Sequence, residues 1–323
     1  MWRVASIANG SISNTTDILM KILVTGKNGQ VGFELMRSLA PLGTVIGVDV
    51  RECDLGDSAA IEKLLEKVKP DLIVNPAAYT AVDKAESEPV IAHAINARAP
   101  EILARFASRR NIPIIHYSTD YVFDGQKDGA YTETDKVNPK SVYGKTKALG
   151  EAAVRNNAPK HIILRTSWVF GSHGVNFLKT MLKLSQEREK LSVVSDQEGS
   201  PTSAALLADV TAIIAKQLFE PGAVQKYGTY HLVSEGETSW HGYAQKVVAC
   251  ANALGLETKI SSDLIQPIKT ADYPLPAPRP ANSRLDTTKI KDVFMLTLPS
   301  WQDEVSKVLQ VLIDSNGVVK TNG

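Results

Sequence analysis

Short β-branched hydrophobic runs alternate with longer amphipathic stretches along the first half of the chain. The runs predict strands at residues 21–25, 44–48, 71–75, 112–117 and 161–165, and the stretches predict helices from about Gln30, from about Val90 to Arg109, and around Tyr143. This alternation is typical of βαβ units with parallel strands. We therefore predict an α/β fold with a Rossmann-type, doubly wound parallel sheet, in which ligands bind outside the carboxyl ends of the strands.

Beyond about Trp168 the alternation becomes irregular, and residues 273–280 contain too many prolines for a helix interior. We predict one domain over 20–167 and a smaller C-terminal domain over 168–318, with some segments of the latter returning to the sheet. Residues 1–19 lack the charged start and apolar centre of a secretory signal, so a disordered tail is expected there and another at 319–323. The natural start is open between Met1 and Met20.

Composition excludes several classes of protein. The 323 residues include 36 basic and 35 acidic side chains, a net charge of +1, so no overall field would hold a nucleic acid. No apolar run is long enough to span a membrane. The two cysteines, Cys53 and Cys250, fit reduced thiols in a cytoplasmic protein. The six histidines show no metal-ligand spacing, so we predict no protein metal site.

A glycine-rich loop, Gly26-Lys-Asn-Gly29-Gln-Val-Gly32, follows the first predicted strand and opens a helix. Because the glycines have no side chains, the backbone of the loop can turn tightly and approach a pyrophosphate at the helix N-terminus. The predicted dinucleotide contacts are Gly26, Gly29, Gln30, Val31 and Gly32. The alternative is a tight turn with a purely structural role.

The ends of the next strands offer further cofactor contacts. Asp49 stands about 20 residues after the glycines, where a carboxylate accepts hydrogen bonds from a ribose and favours NADH. Arg51 could instead bind the 2′-phosphate of NADPH, which leaves the choice open. We also place Asp54, Leu55, Ala77, Ala78, Tyr79, Thr80 and Tyr117 beside the cofactor. Ordinary loop packing is an alternative for several of these positions.

Tyr143 and Lys147 are four residues apart and would share one face of a helix. An ammonium group near a phenol lowers its pKa, so we expect Tyr143 to act as a general acid. Ser118-Thr119-Asp120-Tyr121 ends the fourth strand, where a hydroxyl could orient a carbonyl. Lysines are usually exposed, so a solvated Lys147 is the alternative.

Together these motifs resemble the extended short-chain dehydrogenases and, within them, the dTDP-4-dehydrorhamnose reductases. The likeness runs from about Met20 to Leu312. The matching segments are GKNGQVG at 26–32, AVDKAESEP at 81–89, STDYVFD at 118–124, YGKTK at 143–147, RTSWV at 165–169 and RPANSRL at 279–285.

The resemblance implies reduction by NADPH or NADH of the C4 ketone of dTDP-4-dehydro-L-rhamnose to give dTDP-L-rhamnose. Tyr143 would protonate the oxygen and also contact the cofactor, Lys147 would bind the nicotinamide ribose, and Thr119 would orient the ketone. The implied substrate contacts are Asp120, Tyr121 and Trp168 for the sugar and, in the second domain, Arg279 and Arg284 for the diphosphate. A plain proline-rich linker is the alternative for the arginine loop.

Some bacterial relatives bind Mg²⁺ through glutamates at a dimer interface. Glu34 fits one such position, but Ala205 stands where another acidic residue is expected. The sequence therefore does not support Mg²⁺, and a homodimer stays a possible assembly.

Two rival functions are open. An epimerase of the same fold would return the hydride within one turnover, whereas a dehydratase is disfavoured because Tyr121 replaces the glutamate of its Thr-Asp-Glu motif. Relatives also serve as non-catalytic regulatory subunits of methionine adenosyltransferase. The complete sugar-side set around Thr119 and Trp168 favours an enzyme.

Overall fold

A computed structural model of the chain describes residues 20–315. The predicted tails at 1–19 and 319–323 lie outside the described residues. The strands are β1 (Lys21–Thr25), β2 (Thr44–Val48), β3 (Leu72–Asn75), β4 (Ile114–Thr119), β5 (His161–Thr166), β6 (Val169–Phe170), β7 (Ser192–Val194), β8 (Glu198–Gly199), β9 (Thr202–Ser203), β10 (Gly228–His231), β11 (Thr238–Ser239) and β12 (Gln266–Ile268).

The helices alternate with these strands through the first half of the chain. They are α1 (Gln30–Ser38), α2 (Ser58–Val68), α3 (Val82–Ala85), α4 (Pro89–His93), α5 (Ala99–Arg110), α6 (Val142–Asn157), α7 (Phe177–Glu187), α8 (Ala204–Gln217), α9 (Trp240–Ala253), α10 (Thr288–Phe294) and α11 (Trp301–Ser315). Short 3₁₀ turns lie at Ala40–Leu42, Asp120–Val122, Ala223–Lys226, Ser262–Leu264 and Thr270–Asp272, and a π-helical turn lies at Ala94–Arg98.

A six-stranded sheet in the order β10-β5-β4-β3-β1-β2 forms the centre of the fold. Every neighbouring pair in it is parallel. Successive residues of β1 point to opposite faces: Ile22 and Val24 pack in one hydrophobic cluster, and Leu23 packs in another. Both faces are therefore covered, and the predicted doubly wound parallel sheet is confirmed.

The fourth strand begins and ends later than the sequence predicted. Pro113 has no N–H to donate to the sheet, and β4 starts at the next residue, Ile114. The strand then continues to Thr119, which pairs with Thr166 at the end of β5. Thr119 is therefore held by the sheet itself and not by a loop.

The helix predicted from Val90 to Arg109 is present but contains the π-helical turn. Pro100 cannot donate to the carbonyl four residues earlier, which belongs to Asn96. That carbonyl faces Gly150 of α6, where a Cβ would lie 2.1 Å from the Asn96 oxygen. The turn and this glycine together let α6 pack very closely on the helical segment 89–110.

The C-terminal half contributes to two regions. Helix α8 packs against α1, and β10 pairs with β5, so both belong to the central sheet and its layers. Helices α7, α9 and α11 enclose a separate hydrophobic cluster that includes Leu178, Val247 and Leu309. Within residues 20–315, no helix combines the length and the apolar character needed to cross a membrane.

Candidate active site

The glycine loop connects β1 to α1 with a tight backbone turn. Gly26 has φ +62°, a backbone conformation that residues other than glycine rarely adopt. Its carbonyl accepts a 2.9 Å hydrogen bond from the Gly29 amide. A Cβ at Gly32 would lie 2.0 Å from the Gly26 oxygen, so only glycine fits there. The loop thus leaves the N-terminus of α1 open to an anionic ligand, with Gln30 and Val31 in its first turn.

A cavity of about 170 Å³ opens beside this loop. It is lined by Thr25, Gly26, Asn28, Gly29, Val48, Asp49, Val50, Cys53, Asp54, Leu55, Ala77 and Ile95. Six of the predicted cofactor residues are in this set. Sequence reasoning missed the others, although Thr25, Val48 and Asn28 lie next to predicted residues in the chain.

Asp49 is the polar centre of the cavity's outer edge. Its carboxylate accepts hydrogen bonds from the Asn28 side chain and, at 2.8 Å, from the Arg51 amide. Lys27 and the Asp49 amide hold the pKa of nearby Glu52 at about 2. The edge therefore carries two carboxylates, while the exposed Arg51 side chain supplies a positive charge beside them.

The segment after β3 contains Ala77, Ala78, Tyr79 and Thr80. Ala77 lies against the glycine loop, 3.0 Å from where a Cβ of Gly26 would stand. Asn96 holds the Tyr79 backbone at both its N–H and its carbonyl, at 2.8 and 3.1 Å. The Tyr79 hydroxyl donates to Glu88, so its polar end is engaged by the protein.

Helix α6 places a partly buried Tyr143 and a buried Lys147 at the carboxyl end of β4. Ser141 caps the helix by accepting a 3.1 Å hydrogen bond from the Gly144 amide. Lys147 is buried, and its ammonium donates to the Tyr117 carbonyl at 2.7 Å. The alternative of a solvated Lys147 is therefore wrong.

The predicted lowering of the Tyr143 pKa is also wrong for this arrangement. Burial raises the pKa of Tyr143 above its ordinary value, with Thr119 acting in the opposite direction. Burial lowers the pKa of Lys147 to about 8, while Glu151 acts to raise it. The Lys147 ammonium is directed to the Tyr117 carbonyl, and the desolvation of the phenol dominates.

The predicted contact of Tyr117 with a cofactor could come only from its backbone. Its hydroxyl lies in the core against α8, 2.6 Å from the Thr211 hydroxyl and 3.3 Å from the Leu207 carbonyl. Because strand side chains alternate between faces, Tyr117 points away from Ser118. Its contribution to the site is its backbone carbonyl.

Thr119 and Asp120 form a buried polar pair at the end of β4. The Thr119 hydroxyl donates to Asp120 at 2.8 Å and accepts from the Tyr121 amide at 3.2 Å. Burial raises the pKa of Asp120 to about 6, with Ser283 and Thr119 acting in the opposite direction. The ring of Tyr121 meets that of Tyr143 edge to face, 5.4 Å between centroids. The structure thus brings Thr119, Asp120, Tyr121 and Tyr143 together.

Trp168 follows β5, two residues after the Thr166 that pairs with Thr119, and has an unusual backbone conformation with φ +49°. Its ring stacks on Trp240 at 3.8 Å between centroids. A Cβ at Gly199 would lie 2.7 Å from the Trp168 ring, so the glycine makes room for it. Trp240 and Gly199 were missed because the sequence separates them from Trp168 by tens of residues.

The two predicted arginines bind carboxylates in the structure. Arg279 donates to Asp83 at 2.8 Å, and Arg284 pairs with Glu198 at 3.2 Å and with Glu237 at 3.6 Å. Arg279 also lines a cavity of about 200 Å³. The other lining residues are Tyr121, Phe123, Asp124, Gln126, Lys140, Ser141, Pro278 and Pro280. Arg279 therefore lies beside Tyr121, whereas Arg284 lies near the Trp168 side through Glu198.

The carboxylate of Glu34, the candidate metal ligand, pairs with an arginine. Arg37 lies 3.4 Å from Glu34 and 2.9 Å from Asp209. Among residues 20–315, no cluster of three or more His, Cys, Asp or Glu side chains could hold a metal ion. Both cysteines are free thiols, and Cys53 is buried beside the first cavity.

Comparison with known proteins identifies the family and the fold. The family model described as the RmlD substrate binding domain matches residues 20–313. The dTDP-4-dehydrorhamnose reductase of Salmonella typhimurium is 47% identical over 90% of this chain and 97% of its own length. The crystal structure of a dTDP-4-dehydrorhamnose reductase from Clostridium acetobutylicum has a TM-score of 0.82 at 37% identity, covering 91% of this chain and 99% of that one.

A second solved structure bears on the cofactor. The dTDP-4-dehydrorhamnose reductase of Bacillus anthracis, in complex with NADP, has a TM-score of 0.81 at 32% identity and covers 91% of this chain and 99% of that one. The resemblance predicted from the motifs is confirmed. The chain belongs to the RmlD substrate binding domain family.

Proposed function

We propose that this chain uses NADPH or NADH to reduce the C4 ketone of dTDP-4-dehydro-L-rhamnose, giving dTDP-L-rhamnose. The observation that carries the proposal is the convergence of Tyr143, Lys147 and Thr119 at the carboxyl end of β4. Similarity to reductases of this name over nearly the whole chain supports the choice of substrate.

The glycine loop and the cavity beside it fit a dinucleotide. The Gly26 turn and the missing side chain at Gly32 leave room for backbone amides to meet a pyrophosphate at the start of α1. Asp49 would accept hydrogen bonds from the adenosine ribose, and Arg51 would bind the 2′-phosphate of NADPH. When bound, the nicotinamide supplies the hydride.

Tyr143 would donate the proton to the oxygen at C4. Because burial raises its pKa, the phenol keeps its proton at neutral pH and is a proton donor there. Lys147, with a pKa of about 8, is mostly charged at pH 7 and would stabilise the negative charge left on the tyrosine. Thr119 would hold the ketone oxygen close to Tyr143.

The sugar would lie between the aromatic side chains of Tyr121 and Trp168. Asp120, with its pKa raised to about 6, can accept a hydrogen bond from a sugar hydroxyl when ionised and donate one to it when protonated. Arg279 and Arg284 would bind the diphosphate after exchanging part of their contacts with carboxylates. Residues 20–167 would then hold the cofactor, and the segments of 168–318 outside the sheet would hold the nucleotide sugar.

A cytoplasmic location and a homodimer complete the proposal. The free thiols of Cys53 and Cys250 support the location, because an oxidising compartment favours disulfides. Size-exclusion chromatography with light scattering would measure the assembly, and a monomeric mass would contradict the dimer.

The function is tested by following absorbance at 340 nm with NADH and NADPH in parallel. The substrate, dTDP-4-keto-6-deoxy-L-mannose, is made in situ by a dehydratase and an epimerase. We expect stoichiometric loss of absorbance and a product identified as dTDP-rhamnose. Cofactor binding without net oxidation would contradict the reductase and favour an epimerase or a regulatory subunit.

A further inference from the structure

Glu151 lies one helical turn beyond Lys147 on α6 and is fully buried. Arg165 of β5 binds it through two hydrogen bonds, at 2.8 and 2.7 Å, and Arg155 adds a third contact at 2.9 Å. The Arg165 side chain is itself only 4% exposed. The carboxylate is therefore held rigidly inside the protein, although it lies outside the proposed substrate and cofactor contacts.

The positive charge of the buried Lys147 ammonium needs a compensating group. The ammonium donates to one backbone carbonyl, that of Tyr117. Within residues 20–315 the Lys147 ammonium makes no ion pair with a carboxylate, and the nearby Glu151 pairs with Arg155 and Arg165 instead. A buried ammonium without a compensating negative charge tends to lose its proton.

The other titratable groups of this region do not supply that negative charge. Asp120, in the turn after β4, acts on the pKa values of Tyr121 and Tyr143 and not on that of Lys147. His116, on the neighbouring strand β4, is held neutral because burial lowers its pKa well below the usual value. Tyr143 on the same helix keeps its proton, because burial raises its pKa. Arg165 on β5 is positive. Glu151 is the negative group that acts on Lys147, and its Arg165 contacts help hold its own pKa at about 2 against the effect of burial.

We propose that Glu151 is a positioning residue of the reaction: it keeps the buried Lys147 in its ammonium form, and Arg165 holds its carboxylate in place. The inference rests on the proposed function, in which Lys147 acts as a cation beside Tyr143. It adds a third position to the helical series of Tyr143 and Lys147, four residues farther along the same face.

The test is the pH dependence of kcat and kcat/KM in Glu151→Gln. In the wild type we expect the alkaline loss of activity near the Lys147 pKa of about 8. In the variant that loss should move to lower pH by about one unit, since a compensating charge is removed. Activity would then fall about five-fold at pH 8 and change little at pH 6.

A second readout does not depend on turnover. Lysine labelled with ¹³C at Cε can be titrated by NMR, with the Lys147 signal assigned from its loss in Lys147→Arg. Its titration should shift in Glu151→Gln in the same direction as the activity. If the wild type fails to reduce the sugar, the proposed function fails, but this titration still decides the role of Glu151.

Arg155→Gln is the matched control, because Arg155 contacts the same carboxylate from a half-exposed position while Arg165 remains. We expect its pH profile to stay within about 0.3 units of the wild type. An equal loss of activity at every pH in Glu151→Gln, with an unchanged Lys147 titration, would show a merely structural role and overturn the proposal.

If Glu151→Gln does not fold, the double variant Glu151→Gln/Arg165→Gln replaces it. The double change leaves neither charge of the pair buried alone. Because Glu151 and not Arg165 acts on the Lys147 pKa, the alkaline limb should still move to lower pH. A limb that stays at the wild-type position would contradict the proposal.

Discussion

Tyr143 and Asp120 lie in the same buried region, and burial raises the pKa of both. Their effects on function differ. The phenol is protonated throughout the neutral range and can serve as a proton donor, whereas the carboxyl titrates near pH 6. At the scale of single residues, the chemistry of the site thus depends on desolvation more than on the spacing of side chains in the sequence.

Tyr143→Phe removes the proposed proton donor without removing the ring. We expect turnover to fall by about 10²–10⁴-fold, the usual contribution of a positioned acid. Cofactor affinity, measured by fluorescence titration, should change little because the ring still packs edge to face on Tyr121. A variant with near-normal turnover would remove Tyr143 from the acid role.

Asp120→Asn should change the pH dependence of stability. Folding raises the Asp120 pKa from its ordinary 3.8 to about 6, so between these values the folded chain holds more protons than the unfolded chain. Wild-type stability therefore falls as the pH rises through this range. Asparagine carries no charge to desolvate, so the variant should be more stable above pH 6, by about 3 kcal/mol at most.

Melting temperatures at pH 7.5 and pH 4 would measure this difference. The gain of Asp120→Asn should be clear at the higher pH and should shrink towards zero at the lower. An asparagine variant that melts below the wild type at pH 7.5 would show that the carboxylate is better compensated than its burial indicates.

At the scale of elements, the close approach of α1 to the Gly26 carbonyl determines which positions of the loop between β1 and α1 must be glycine. A Cβ at Gly32 would meet the Gly26 carbonyl at 2.0 Å, whereas one at Gly29 would meet it at 3.3 Å. The two positions have different physical requirements, although both are glycines of one motif. Gly32 is required because α1 lies directly against the backbone of the loop at Gly26, and Gly29 lines the cavity.

Alanine at these two positions should separate stability from binding. Gly32→Ala should lower stability by about 1–3 kcal/mol, since backbone must move to relieve the clash. Gly29→Ala should cost less than about 1 kcal/mol but should still weaken cofactor binding, because its new methyl group lies beside the cavity. Denaturant unfolding and cofactor titration of both variants would test this. Equal losses of stability would contradict it.

At the scale of the whole molecule, one ion pair connects the N-terminal half to the proline-rich segment at 273–280. Asp83 of α3 accepts from the Arg279 guanidinium at 2.8 Å and from the Ala277 amide at 3.1 Å. The segment crosses beside Tyr121 and lines the larger cavity. A residue of α3 therefore sets the position of an arginine proposed to bind the substrate.

Asp83→Ala should raise the KM for the nucleotide sugar several-fold and leave cofactor affinity unchanged. Its cost in stability should be about 1 kcal/mol or less, because Asp83 is 37% exposed and exposed pairs contribute little. Glu101→Ala is the control: it removes the pairs of this α5 carboxylate with Arg98 at 2.8 Å and with Arg105 at 2.6 Å, and it should leave the KM unchanged. An unaltered KM in Asp83→Ala would separate the ion pair from substrate binding.

The sequence by itself determined the parallel sheet, the glycine loop and the helix that carries Tyr143 and Lys147. These features depend on local periodicity and on short motifs, so neighbouring residues are enough to predict them. The π-helical turn at Ala94–Arg98 was not predicted. Pro100 removes one helical hydrogen bond there, but the close packing of the turn also depends on Gly150 of a different helix.

Only the tertiary structure decided the properties that arise from long-range contacts. The Tyr117 side chain bonds to Thr211, 94 residues away, and Trp168 stacks on Trp240. The pKa of Tyr143 is raised and not lowered, because desolvation comes from everything packed around a group. A spacing of four residues can place Lys147 near Tyr143, but burial and the direction of the ammonium are set by the rest of the fold.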